Sequence, residues 1–197
     1  TGDKYLQARP MRRVVDPLTQ MGANITGDED GNKLPLTITG SKLRAISYKL
    51  PVASAQVKSA ILLAGMYAEG ETEVIEPSAS RDHTERMLTY LGVPITQNGN
   101  SIKINNVSQI NPGEIIVPSD ISSAAFFIVG ALIIPGSEIL IKNVGINPLR
   151  TGIIDILILC EFSLKNGSSA KSIITRCAVF GLFSSVSTFL MATHTFF

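Results

Sequence analysis

The sequence predicts an α/β fold built from repeated strand–helix–strand–helix–strand–strand units. Three observations carry that expectation. Helix-start signals recur with a period of roughly seventy residues, the internal symmetry that marks a repeat architecture. Two of the helices end at matching glycines, Gly22 after Met21 and Gly92 after Leu91. Alternating apolar segments follow two further glycine turns, at Gly70 and at Gly136.

Arg9-Pro10 opens the first helix, because proline is tolerated at a first helical position and fixes φ there. Gly22 then supplies a left-handed C-terminal cap. Asp30-Gly31 separates Asn24-Ile25-Thr26 from Leu36-Thr37-Ile38, a hairpin pattern. Pro51-Val-Ala-Ser54 opens a second kind of helix, strongly apolar through Ile61, Leu62, Leu63 and Ala64. The strand Gly70–Glu76 follows. Ser80-Arg81-Asp82 opens the next helix, with Asp82 and Glu85 at capping-box spacing, and Gly92 closes it. Asn98-Gly99-Asn100 then separates Ile95-Thr96 from Ile102-Lys103-Ile104. Pro118-Ser119-Asp120 repeats the second helix type over Ile121–Ile134, the strand Gly136–Lys142 follows, and Asn147-Pro148 starts another helix. One unit alone would leave the apolar faces of both its helices in water. Several copies therefore pack together, with helices starting near Pro10, Ser54, Asp82 and Ser119 inside and short sheets outside.

The totals exclude several classes. Lys and Arg number 17 against 16 Asp and Glu, so there is no bias toward nucleic acid or an acidic membrane. Charged residues make up 17% of the chain, sparse against a usual figure of about 25%. The two cysteines, Cys160 and Cys177, offer neither metal-ligand spacing nor a disulfide framework, which points to a reducing compartment. Thr1–Pro10 has neither the basic nor the apolar region of a signal peptide, and it reads as an interior start. From about residue 158 the repeat punctuation stops. No acidic residue follows Glu161, and residues 158–197 form an apolar, Ser-rich tail. Its interspersed Ser and Thr argue against a membrane span, and it is expected to be unrelated to the preceding fold or out of frame.

Two segments carry the chemistry, Pro51-Val-Ala-Ser-Ala-Gln-Val-Lys-Ser-Ala60 and Ser80-Arg-Asp-His-Thr-Glu-Arg-Met-Leu88. Each opens a helix, whose first-turn amides and partial positive charge suit an anion. Ser54 can simply cap its helix. Gln56 within the same turn and Arg81 in the second segment favour a phosphate or carboxylate site. Arg9 stands ahead of a helix start and can fork two donors onto an oxyanion, although spacing alone equally allows a solvated side chain. Arg12 and Arg13 are expected toward solvent or beside an acidic neighbour. His83 reads as structural or solvated, and Asp120 as the cap of its helix.

Ala8-Arg9-Pro10-Met11-Arg12 and the two segments above together resemble the 5-enolpyruvylshikimate-3-phosphate synthase (3-phosphoshikimate 1-carboxyvinyltransferase) family, in its Gram-positive bacterial type. The resemblance runs nearly continuously from Thr1 to about Leu157 and marks an interior piece of a longer protein. It implies the inside-out α/β barrel of enolpyruvyl transferases, two lobes each of three repeat units. Residues 1–116 would be the latter part of the first lobe, and residues 117–157 the hinge and the start of the second. It implies transfer of an enolpyruvyl group from phosphoenolpyruvate to the 5-hydroxyl of shikimate-3-phosphate. No metal or organic cofactor is implied, and the parent enzyme would be a cytoplasmic monomer. Arg9 would meet phosphoenolpyruvate, while Ser54, Ala55, Gln56, Ser80 and Arg81 would hold shikimate-3-phosphate. Asp120 would match a hinge carboxylate. The family's acid–base residues match no position here, so this chain is expected to bind poorly and not to turn over. Two other readings are a UDP-aminosugar enolpyruvyl transferase, which Ser54–Gln56 and Ser80–His83 argue against, and a non-catalytic relic or interaction module.

Overall fold

A computed structural model of the chain describes residues 2–134, 137 and 139–157. The chain divides into two compact units, with the boundary between Gly113 and Glu114.

In the first unit a short helix, α1 (Lys4–Gln7), precedes α2 (Arg12–Gln20). The hairpin of β1 (Asn24–Gly27) and β2 (Lys33–Thr39) turns through α3 (Asp28–Gly31), a single tight turn. Glu29 and Asp30 there have positive φ and Gly31 follows at +78°, so the expected Asp30-Gly31 turn forms. Next come β3 (Ser47–Lys49), α4 (Ala55–Gly65), β4 (Glu71–Ile75), α5 (His83–Tyr90), β5 (Ile95–Asn98) and β6 (Ser101–Asn105). From β3 onward that order is the expected strand–helix–strand–helix–strand–strand unit. Its four strands form one sheet in the order β3-β4-β6-β5, parallel between β3 and β4 and antiparallel elsewhere. A two-residue turn, Gly99-Asn100, joins β5 to β6, with Gly99 at φ +57°.

The matching glycines end their helices in the same way. Gly22 N–H donates to the Thr19 carbonyl and Ala23 N–H to the Leu18 carbonyl; Gly92 and Val93 do the same to Thr89 and Leu88. Both are Schellman caps, and both need the left-handed φ the glycines adopt, +98° and +78°.

Helix α4 is the centre of the core. Strands alternate faces, so Thr72 and Val74 of β4 and Ile102 and Ile104 of β6 point the same way, in register, and all four are fully buried. α4 packs against that face and against α2. Its Val57, Ile61 and Leu62 are buried, and each such side chain contributes about 1.5–3 kcal/mol by leaving water. Gly65 brings the helix end close to the sheet: a Cβ there would stand 2.9 Å from Ile104 Cγ2 and from Thr72 Cβ.

In the second unit α6 (Ile121–Ile133) buries Ile121, Ala124 and Ile128, with Ile141, Val144 and Leu157 among the side chains packed around them. Asp120 caps it as expected, its Oδ2 accepting from Ser123 N–H at 3.0 Å. Arg150 adds an ion pair to Asp120 at 3.1 Å.

Four expectations need correction. The helix after Pro10 begins at Arg12, because Arg9 N–H is drawn back to the Leu6 carbonyl and Met11 N–H goes to the Asn32 carbonyl. The capping box of Asp82 and Glu85 does not form; the Asp82 carboxylate accepts from Arg86 Nε instead, and Glu85 turns inward. Of the strand expected over Gly136–Lys142, residues 136 and 138 lie outside the described residues. Residues 139–142 are irregular, and just beyond them Val144 forms an isolated parallel bridge to Ser119. The helix expected at Pro148 begins only at residue 152, because Asn147 Oδ1 accepts from Leu149 N–H and closes a separate turn first. The tail expected over residues 158–197 lies outside the described residues.

Candidate functional site

Ser54 enters α4 with extended backbone, φ −147° and ψ 104°, and its Oγ accepts from Val57 N–H at 3.4 Å. It is therefore the cap, and a long, weak one. Ala55 and Gln56 follow as the first two helical residues, with Gln56 exposed. Their amides belong to the first turn, where no intrahelical acceptor is available. The three residues present a hydroxyl, a carboxamide and free backbone donors from one helix start, a donor set suited to an oxyanion.

One turn later, α4 carries Lys58, with only 1% of its surface exposed. Its ammonium lies 2.9 Å from Glu76 Oε2 and 2.6 Å from Glu85 Oε1, and it donates to the Ser80 carbonyl at 3.4 Å. Ser80 Oγ in turn donates to Glu76 Oε1. Beside this cluster, Ser59 Oγ and Thr84 Oγ1 share a hydrogen bond of 2.7 Å. The two segments singled out in the sequence, 22 positions apart at Lys58 and Ser80, are thus held against each other. A buried ammonium is tolerable only when paired, and this one has two carboxylates. Glu85 Oε2 is buried without a hydrogen-bond partner among the described residues.

Arg81 follows Ser80 directly and is exposed, as is Arg9 ahead of α2. Neither guanidinium has a hydrogen bond or ion pair among the described residues. No described polar contact joins Arg9 to the other five predicted residues. α2, which Arg9 precedes, does pack against α4. Arg12 and Arg13 occupy the first turn of α2 with no acidic residue beside them there, and Arg12 Nη2 reaches the Glu29 carbonyl at 3.5 Å. Helix dipoles disfavour cations at that end, so Arg9, Arg12 and Arg13 concentrate positive potential at one helix start. His83 is the first residue of α5 and is half-buried.

Lys58, Glu76 and Glu85 were missed in the sequence. One signal could have found them. A lysine set in the apolar run Val57–Ala64 has to find carboxylates or leave the core, and Glu76 stands just ahead of the second segment with Glu85 inside it. Asp120 is held below the usual aspartate range, chiefly by the backbone N–H of Ser123. Among the described residues, no cluster of three His, Cys, Asp or Glu side chains could hold a metal ion.

The family profile described as EPSP synthase (3-phosphoshikimate 1-carboxyvinyltransferase) matches residues 1–177, reaching past the break expected near Leu157. A 3-phosphoshikimate 1-carboxyvinyltransferase of Geotalea daltonii is 60% identical over 157 residues, 80% of this chain and 37% of its own length. One from Bacillus cereus is 58% identical over 156 residues, 79% of this chain and 36% of its own. The solved EPSP synthase of Acinetobacter baumannii shares 52% identity at a TM-score of 0.71, over 81% of this chain and 36% of that one. The chain therefore spans little over a third of the length of the curated relatives it matches.

Proposed function

The chain belongs to the EPSP synthase family, and from that premise we propose that it is the portion of such an enzyme that seats both substrates. The reaction is transfer of the enolpyruvyl group of phosphoenolpyruvate to the 5-hydroxyl of shikimate-3-phosphate, with release of phosphate, in the cytoplasmic route to chorismate. It proceeds by addition through a tetrahedral intermediate and then elimination, in an enzyme that works as a monomer. The unit Thr1–Gly113 is the latter part of one lobe, and the chain from Glu114 leads into the other.

The observation that carries this reading is the joining of Ser54–Gln56 to Ser80–Arg81 through Lys58. A sugar phosphate needs charge and directed donors at one place. Ser54 and Ser80 offer hydroxyls, Gln56 a neutral amide for a ring hydroxyl or carboxylate, and Arg81 a fork for the phosphate. Ala55 leaves room between them. Arg9, ahead of α2, takes the carboxylate or phosphate of phosphoenolpyruvate. Ser54 can serve both as cap and as ligand, because its 3.4 Å bond to Val57 is readily given up. None of these residues supplies the proton transfers of the reaction, which is general acid–base work.

The test is phosphate release from phosphoenolpyruvate that depends on shikimate-3-phosphate, alongside calorimetric titration with shikimate-3-phosphate. Residues 1–197 alone should show weak binding without turnover, since binding equal in ground and transition states does not speed the chemistry. Arg81→Ala should weaken binding by the worth of a charge-assisted hydrogen bond, about 1.5–3 kcal/mol. Unchanged affinity in that variant would remove Arg81 from the site. Set within a full-length chain, the same residues should turn over, and Arg9→Ala should then mainly impair use of phosphoenolpyruvate.

A further inference from the structure

We infer that Lys58 is a positioning residue: its buried ammonium fixes the Ser80–Arg81 segment against the start of α4, so that the two binding segments keep a single geometry. The inference rests on the substrate reading above. An ammonium has three donors, and three acceptors surround this one: Glu76 Oε2 at 2.9 Å, Glu85 Oε1 at 2.6 Å and the Ser80 carbonyl at 3.4 Å. They come from the residue just after β4, from α5 and from the loop between. Glu76 turns its other oxygen to the Ser80 hydroxyl. Ser80 is thereby gripped at backbone and side chain, and the backbone of Arg81 begins where that grip ends.

Stability alone is a poor reason for such a cluster. One buried ammonium faces two carboxylates, and Glu85 Oε2 is left without a partner among the described residues. Apolar side chains of the same volume hold a core at least as well as a buried ion pair does. The fold already has a simpler tie between the same helices, Ser59 to Thr84 at 2.7 Å, which touches neither Ser80 nor Arg81. What the ionic cluster adds is its hold on the loop.

The experiment uses residues 1–197 with two readouts, backbone order parameters at Ser80 and Arg81 without ligand, and affinity for shikimate-3-phosphate. Lys58→Met leaves two buried carboxylates, so the triple variant Lys58→Met/Glu76→Gln/Glu85→Gln is measured beside it to keep the fold. Ser59→Ala serves as the control for a merely structural tie. In the triple variant the order parameters should fall from about 0.85 toward about 0.6. Affinity should drop about tenfold or more with the thermal midpoint retained, because Arg81 loses its fixed origin. Ser59→Ala should lower the midpoint and leave both readouts unchanged. A triple variant with wild-type order parameters overturns the inference, as does one with wild-type affinity. If the wild-type chain binds no shikimate-3-phosphate, the substrate reading fails, and the order parameters still decide the role of Lys58.

Discussion

Helix α4 follows Pro51 and is capped by Ser54, and α6 follows Pro118 and is capped by Asp120, yet the two bury very different shares of their surfaces. Both are apolar around most of their circumference. α4 has a helix on one side and a sheet on another, and Ile61 and Leu62 are fully buried. α6 buries three residues and leaves Phe126 81% and Phe127 63% exposed. The difference teaches that a local signal suffices to start each of these two helices. Their stability comes from neighbouring repeat elements, which among the described residues are complete around α4 and partial around α6.

The strongest way to break that comparison is a matched pair of truncations. Leu62→Ala in α4 should cost about 2–5 kcal/mol, transfer loss plus cavity. Phe126→Ala in α6 should stay within about 0.5 kcal/mol, as surface changes do. All four tyrosines lie in the first unit and the chain has no tryptophan, so urea unfolding followed by tyrosine fluorescence reads the α4 side alone. A Phe126→Ala cost comparable to that of Leu62→Ala, read by circular dichroism, would show that α6 is covered after all.

Next in size is Gly65→Ala. The added Cβ meets backbone-anchored atoms of Thr72 and Ile104, so about 1–3 kcal/mol of overpacking is expected. In α6 a Cβ added at Gly130 would meet nothing within 4 Å, and Gly130→Ala should be neutral or stabilising through helix propensity. Thermal melts of both variants check the contrast.

Cap removal should weaken the start of both helices, whatever surrounds the rest of each. Ser54→Ala should cost about 0.5–1 kcal/mol, the low end for a cap whose bond is long. Asp120→Ala should fray the first turn of α6, seen as lost helical chemical shifts at Ile121–Ser123.

The smallest effect is one of pH. Glu73 is held below the ordinary glutamate range, first by the hydroxyl of Ser101, then by that of Ser47 and by the charge of Lys103. Its folded value lies below its unfolded one, so the folded state binds fewer protons. The stabilisation is full above the ordinary glutamate range and is lost as pH falls through the folded value. Carbon-detected titration of Glu73 should show the lowered midpoint, and Ser101→Ala should move it upward. An unmoved midpoint would free Glu73 from that hydroxyl.

Much of this was legible in the residues. The repeat order from β3 to β6, both Schellman caps, both hairpins and the Asp120 cap follow from glycine, proline and short polar side chains acting on their immediate neighbours. The misplaced starts at Pro10 and Pro148 have tertiary or competing local causes, the Asn32 carbonyl in one case and the Asn147 side chain in the other. The capping box at Asp82 failed for a longer-range reason. Glu85 had a choice between a free amide one turn back and a buried ammonium from another helix, and the charge won.

The same division holds for the candidate site. Ser54, Gln56, Arg81 and Arg9 could be read from residue type at a helix start, because capping and dipole effects act within one turn. That the two segments meet, and that Lys58, Glu76 and Glu85 join them, could not be read. Pairings across 18 and 22 positions depend on which faces of α4, β4 and α5 pack together. By itself the sequence determined the element order from β3 to β6, the hairpin turns, the two glycine caps and the Asp120 cap, since those are short-range choices of backbone conformation. Only the tertiary structure decided which charges are buried and what holds Ser80 in place, since burial is set by distant elements closing around a side chain.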